Sequence, residues 1–271
     1  MDVTFHGVRG SVPTSGPQTL DVGGQTSCVR VAHGGHTLLL DAGTGLRAAG
    51  AALGPGPHRL TLLLSHLHWD HIQGFPFFGP AYQRGTEITV VCIGAAATAA
   101  RAFGQQMRAP AFPVPLRALP ATLRFVAAPR RGALELGPFT VRALDLQHPD
   151  RTAAWRVEAG GRRLVYATDH EHGERLFAPL LDFAAGADLL IHDAQYTDAE
   201  WCGEAGPSRR GWGHSTWQQA VGAAQAAGAA RLALFHHDPD RADRAVAGIE
   251  TMARARFPAA FAAREGETVA L

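Results

Sequence analysis

The chain has 271 residues, 46% apolar and 18% charged, which suits a globular core and excludes a disordered chain. Its formal net charge is +1, with no lysine and every cation an arginine, so no long-range field draws it to nucleic acid. Cys28, Cys92 and Cys202 make no CxxC pair or disulfide framework, no leader of signal type opens the chain, and no apolar run reaches the ~20 residues of a membrane helix. These features point to a cytoplasmic protein with no membrane partner.

The first third reads as strands. Val3 to Phe5 is short, and Cys28 to Val31 and Thr37 to Leu40 flank the turn signal Gly34-Gly35. Leu46 to Leu53 is alanine-rich and predicts a short helix. Leu60 to Leu64 is an apolar strand. Gly74 to Gly85 mixes glycine, proline and aromatics and reads as an ordered loop. A strand at Ile88 to Ile93 and a helix at Ala95 to Met107 follow. Ala109 to Pro120 holds four prolines and excludes regular structure. The middle reads as a meander of Leu123 to Ala127, Phe139 to Leu146, Ala153 to Glu158 and Arg163 to Ala167, with Gly160-Gly161 as a tight turn. The last third alternates: helix Glu174 to Phe183, strand Asp188 to Ile191, helix Thr216 to Ala227, strand Arg231 to Phe235, helix Asp240 to Arg256 with Asp240 as its cap, and strand Thr268 to Leu271. Two sheets covered by outer helices, in one domain spanning 1–271, accommodate this order.

One segment carries the chemistry. Ser65-His66-Leu67-His68-Trp69-Asp70-His71 places three histidines and an aspartate directly after an apolar strand. Residues two apart in extended backbone point the same way, so His66 and His68 can grip one ion together. Asp70 and His71 fall where the chain must curl, and can turn to a second ion. Nitrogen and oxygen donors of this kind suit Zn²⁺, Mn²⁺ or Fe. Trp69, between the ligands, either walls the pocket or packs beneath the loop.

The HxHxDH pattern resembles the metallo-β-lactamase superfamily of hydrolases, and the resemblance runs the length of the chain. Asp41-Ala42-Gly43-Thr44-Gly45 looks like that family's DxGxG, whose aspartate supports the metal loop from behind. His148 in LQHP, Asp169 in YATDH and His236 in LFHHDP each end a predicted strand. The resemblance implies a four-layer αββα sandwich of two mixed sheets with outer helices. It also implies two divalent ions per chain, Zn²⁺ or Mn²⁺: one on His66, His68 and His148, the other on Asp70, His71 and His236, with Asp169 between them. His236 is preferred over its neighbour His237 because it aligns better with the single histidine of relatives. Oxygen-reductase members usually carry glutamate where this chain has His68, and are disfavoured.

Two further stretches narrow the expected reaction. GWGHST, residues 211–216, and IHDAQ, residues 191–195, resemble segments of the phosphodiesterase branch, which includes ribonuclease Z and cyclic-nucleotide phosphodiesterases. The resemblance makes His214 the general acid and Asp193 its orienting partner; Asp70 counts with the catalytic residues as well as the ligands. A sugar alkoxide is a poor leaving group, and histidine is suited to protonate it near neutral pH. Paired ions would hold a hydroxide and neutralise the phosphoryl charge. The opening Gly7-Val8-Arg9-Gly10-Ser11 and the stretch Gly23 to Cys28 resemble bacterial cyclic-nucleotide phosphodiesterases, with Gln25 replacing the usual asparagine. Arg9, Arg209, Arg210 and His237 are candidate substrate contacts, arginine for its planar donor fork. The proline- and aromatic-rich region after Ile72 reads as a lid or wall. The expected substrate is a small nucleotide phosphodiester, most simply a cyclic nucleotide. The alternatives are a nuclease acting on short RNA or DNA ends, a non-catalytic nucleotide sensor and a lactonase. Relatives are commonly dimers, which implies a homodimer.

Overall fold

The computed structural model describes residues 1–271. Fourteen strands form two seven-stranded sheets. In the first, β1 (Asp2–Gly7), β2 (Cys28–His33) and β3 (His36–Leu40) run antiparallel, and β14 (Thr268–Ala270) pairs outside β1. From β3 onward β4 (Arg59–Leu63), β5 (Glu87–Cys92) and β6 (Thr122–Ala127) are parallel. In the second sheet β7 (Leu134–Leu136), β8 (Phe139–Asp145), β9 (Ala153–Ala159) and β10 (Arg162–Ala167) form an antiparallel meander. It continues in parallel through β11 (Leu189–Asp193), β12 (Leu232–Phe235) and β13 (Ala260–Ala262).

The layering follows from residue alternation. In β3, Leu38 and Leu40 point into a core between the sheets, while Leu39 points outward. In β10, Leu164 and Tyr166 join the same central core, and Val165 and Ala167 face the other way. Both faces are apolar, so each sheet needs a second covering layer. Helices α1 (Leu46–Ala52) and α2 (Ala96–Gln106) cover the first sheet; α3 (Ala178–Phe183), α5 (Trp217–Ala227) and α6 (Asp243–Arg256) cover the second. The result is the αββα order.

Several local expectations are corrected. β6 belongs to the first sheet, parallel to β5, and is not the start of the meander. The helix expected from Glu174 begins at Ala178, because Phe177 N–H donates to His172 Nδ1 at 3.0 Å and holds the preceding turn. Asp240 does not cap α6: that helix starts at Asp243, whose carboxylate accepts from Asp21 N and Val22 N instead. β7, β13 and α4 (Asp198–Cys202) are too short to show in the pattern. α4 is set by a capping box between Thr197 and Glu200. No helix is long and apolar enough to cross a membrane.

Candidate metal centre

The parallel strands of both sheets end on one edge, and the loops that follow converge there. β4 runs into residues 65–71, β8 into His148, β10 into Asp169, β11 ends at Asp193 and β12 runs into His236. One group of donor atoms comes from His66, His68, His148 and Asp169; a second comes from Asp70, His71, Asp169 and His236, all buried. Asp169 joins them. Its Oδ1 lies 3.6 Å from His66 Nε2 and 4.0 Å from His148 Nε2. Its Oδ2 lies 3.1 Å from His71 Nε2 and 3.2 Å from His236 Nε2.

Each histidine is anchored through one ring nitrogen, which aims the other inward. His71 Nδ1 donates to Asp41 Oδ2 at 2.8 Å, and His236 Nδ1 to Gln195 Oε1 at 2.9 Å. His66 Nδ1 donates to Ser65 Oγ at 3.0 Å, and His148 Nδ1 to Asp150 O at 3.1 Å. His68 is reversed: its Nε2 donates to Asp150 Oδ2 at 2.8 Å, leaving Nδ1 for the cluster. The inward Nε2 atoms of His66, His71 and His236 are buried without any hydrogen-bond partner. Orphaned buried nitrogens facing shared carboxylates are costly unless a cation sits among them. The donor set therefore fits divalent metal, and the outer partners fix tautomers as carboxylates and carbonyls do around metal-ligating histidines.

The backbone at the site is held in an unfavourable region. Ser11, Asp41, Asp169 and His236 are the non-glycine residues with positive φ, at 63°, 61°, 51° and 60°. All four serve the cluster. Ser11 N–H donates to Asp70 Oδ2 at 2.8 Å. Asp41, fully buried, accepts from Ser65 N (2.7 Å), Ser65 Oγ, His71 Nδ1 and Tyr166 Oη (2.8 Å each). Gly10 lets the chain cross His236, since a Cβ there would stand 2.6 Å from the imidazole.

His214 lies beside this cluster, its ring stacked on His236 at 5.0 Å. Its Nδ1 donates to Asp193 Oδ2 at 2.8 Å. Asp193 also accepts from Asp169 N at 3.0 Å, so one carboxylate ties the histidine to the shared metal-facing aspartate. Burial works to lower the His214 pKa, but the charge and hydrogen bond of Asp193 outweigh it and hold the imidazolium up to about 9.

The candidate substrate contacts separate. Arg9 is fully buried. Its guanidinium donates to the carbonyls of Gly23, Asp238 and Arg241 and pairs with Asp243 at 3.5 Å, so it braces the fold and does not reach substrate. His237 is buried, bonded to Ala263 O at 3.1 Å, and pushed down to about 3 by burial and the nearby Arg9 charge. It lies outside both donor groups. Arg210 is engaged by Glu174 and stacks on Trp201 at 4.3 Å. Arg209 alone meets no carboxylate: it lies over Tyr196 (5.5 Å) and Trp212 (4.5 Å), and the Tyr196 ring packs 5.8 Å from His214. Trp69 is 67% exposed, so it borders the site rather than packing beneath it. Of the proline-aromatic region, Phe75 and Phe78 are core, while the exposed Phe77 meets Phe112 edge-on. Asp150, Gln195 and Tyr166 were not read as functional from the sequence; Gln195 lay within the quoted IHDAQ, two residues from Asp193.

A family model described as "Beta-lactamase superfamily domain" matches residues 36–237, three-quarters of the chain. The chain belongs to this superfamily. A ribonuclease Z of Mycobacterium sp. (strain KMS) is 29% identical over 290 residues, covering 96% of this chain and 91% of the relative. Among solved structures, the metallo-β-lactamase fold protein YhfI of Bacillus subtilis superposes with a TM-score of 0.73 at 21% identity, covering 99% of each chain. A diphosphatase of the PhnP family superposes with a TM-score of 0.71 at 16% identity, covering 100% of this chain and 97% of the other. At these identities the superpositions establish the αββα fold.

Proposed function

We propose that this superfamily member is a metal-dependent phosphoric diester hydrolase holding two divalent ions, Zn²⁺ or Mn²⁺, and acting on a small nucleotide diester such as a cyclic nucleotide. The observation that carries the reading is the His214–Asp193 pair beside a seven-ligand cluster. His66, His68 and His148 would hold one ion and Asp70, His71 and His236 the other, with Asp169 facing both donor groups. When bound, such ions supply a water acidic enough to attack at neutral pH and positive charge opposite the phosphoryl group. Asp193 fixes the tautomer of His214 with Nε2 free, and keeps the ring protonated to donate to a departing alkoxide. Arg209, cationic and unpaired near His214, offers a planar fork to a phosphate or a further ester oxygen.

The second reading is a nuclease acting on RNA ends, favoured by the match to ribonuclease Z over nearly the whole chain. The near-neutral charge favours the small substrate. Steady-state hydrolysis of 2′,3′- and 3′,5′-cyclic nucleotides, cyclic dinucleotides, single-stranded RNA and DNA, and a lactone, each with Mn²⁺ or Zn²⁺, separates them. Turnover highest on a cyclic nucleotide supports the proposal; turnover confined to RNA ends, or to the lactone, overturns it.

A further inference from the structure

Glu171 lies two residues beyond Asp169 and takes no part in the donor groups above. Its N–H donates to Gln147 O at 2.9 Å, which seats it against the loop carrying His148. Its carboxylate reaches the GWG loop. Oε1 accepts from Trp201 Nε1 and Gly211 N, and Oε2 from Gly213 N, all at 2.9 Å. One side chain thus gathers both glycine amides of GWG and the indole beneath them.

The next residue in that loop is His214. On its far side, Ser215 Oγ donates to His170 O and Ser215 N to Asp193 Oδ1 at 3.2 Å. The general-acid candidate is therefore bracketed: Glu171 and His170, neighbours in sequence, hold the residues immediately before and after it. The clearance is small. Gly213 has φ +90°, and a Cβ there would stand 2.2 Å from His148 Cδ2, so the loop already runs against a metal-facing ring. A displacement near 1 Å at a reacting group costs on the order of 100-fold in rate. A neutral side chain could replace the volume of Glu171, but not two acceptor oxygens meeting three donors.

We propose that Glu171 is a positioning residue that fixes the 211–216 loop and so the reach of His214, setting the ability to expel a poor, alkoxide leaving group. The proposal rests on the general-acid reading of His214, and the test separates the two. Wild type, Glu171→Gln, Glu171→Ala, His214→Ala and the double variant Glu171→Ala/His214→Ala are assayed on two substrates. In whichever cyclic nucleotide wild type turns over fastest, the leaving group is an alkoxide that needs a proton; in bis(p-nitrophenyl) phosphate it is p-nitrophenolate, which leaves without one.

The general-acid reading requires His214→Ala to lose about 100-fold or more in kcat on the cyclic substrate and far less on the activated one. Equal losses, or no wild-type turnover of the cyclic ester, remove that reading and this proposal with it. Given that pattern, Glu171→Ala should lose tenfold or more in kcat on the cyclic substrate and under threefold on the activated one, with metal content unchanged. Glu171→Gln should fall between it and wild type, and the double variant should be no slower than His214→Ala alone, the non-additivity of residues acting as a unit. A matched loss on both substrates, a multiplicative loss in the double variant, or loss of metal or fold in both Glu171 variants assigns the side chain a purely structural role and overturns the proposal.

Discussion

Replacing Asp41 by asparagine tests how the site is held from behind. The fully buried carboxylate accepts from four donors, three of them on Oδ2. Asparagine keeps the shape but only one acceptor oxygen. Its better rotamer leaves that oxygen facing Ser65 Oγ, His71 Nδ1 and Tyr166 Oη and turns the amide NH₂ towards Ser65 N. A hydrogen bond to a charged group is worth about 1.5–3 kcal/mol, and a stranded buried donor costs about 1–3 more, so Asp41→Asn should lose roughly 3–6 kcal/mol. Domains of this kind have about 5–15 kcal/mol to lose, so the variant folds but is weakened. The same change removes the charge that orients His71. Loss of such an outer partner typically costs about 10–100-fold in metal affinity. Urea unfolding of the metal-free protein measures the first effect, and competition with a chromophoric chelator the second. A midpoint shift worth under about 0.5 kcal/mol, as for a surface substitution, together with wild-type metal affinity would refute the reasoning.

Acid should destabilise the metal-free protein through a buried histidine chain. His172 Nε2 donates to His192 Nε2 at 3.1 Å, and His192 Nδ1 to Asp193 O at 2.7 Å. Burial, then neighbouring charge, lowers the pKa of His172; burial lowers that of His192, so both stay neutral when folded. The unfolded chain takes up these protons near pH 6.5, so stability is fully present above that pH and falls as the pH drops below it. His172 alone costs about 2 kcal/mol at pH 5, and His192 adds to the loss in the same direction. Urea midpoints that stay flat from pH 7 to pH 5 would count against this. Gly213→Ala should abolish most activity, because its Cβ would collide with His148 and its φ is +90°. An alanine variant with wild-type turnover would show that this contact is not rigid.

The local parts of the site were legible because their spacing carries the geometry. His66, His68, Asp70 and His71 sit within six residues, whereas Asp169 and His236 were reached through the family resemblance of the strand ends that carry them. Partners brought together by the sheets were not legible. His68 and Asp150 are 82 residues apart in sequence, and Tyr166 reaches Asp41 across 125. Arg9 reads as a phosphate contact from its planar donor fork, and a donor fork does not state whether it is buried. In the structure the segment bridges to both Thr26 and His237, and the guanidinium is buried. β6 read as part of the meander because a strand's own residues do not state which sheet it joins. The three-residue strands β7 and β13 are too short to show a period.

The central claim is that two ions together drive hydrolysis of a small phosphodiester. Its most direct test is titration of metal-free protein with Mn²⁺ or Zn²⁺ while following cyclic-nucleotide hydrolysis. Turnover should be absent without metal, and the rate should rise to a plateau at two equivalents per chain. Full activity at zero or one equivalent, or no hydrolysis with two ions bound, would contradict it.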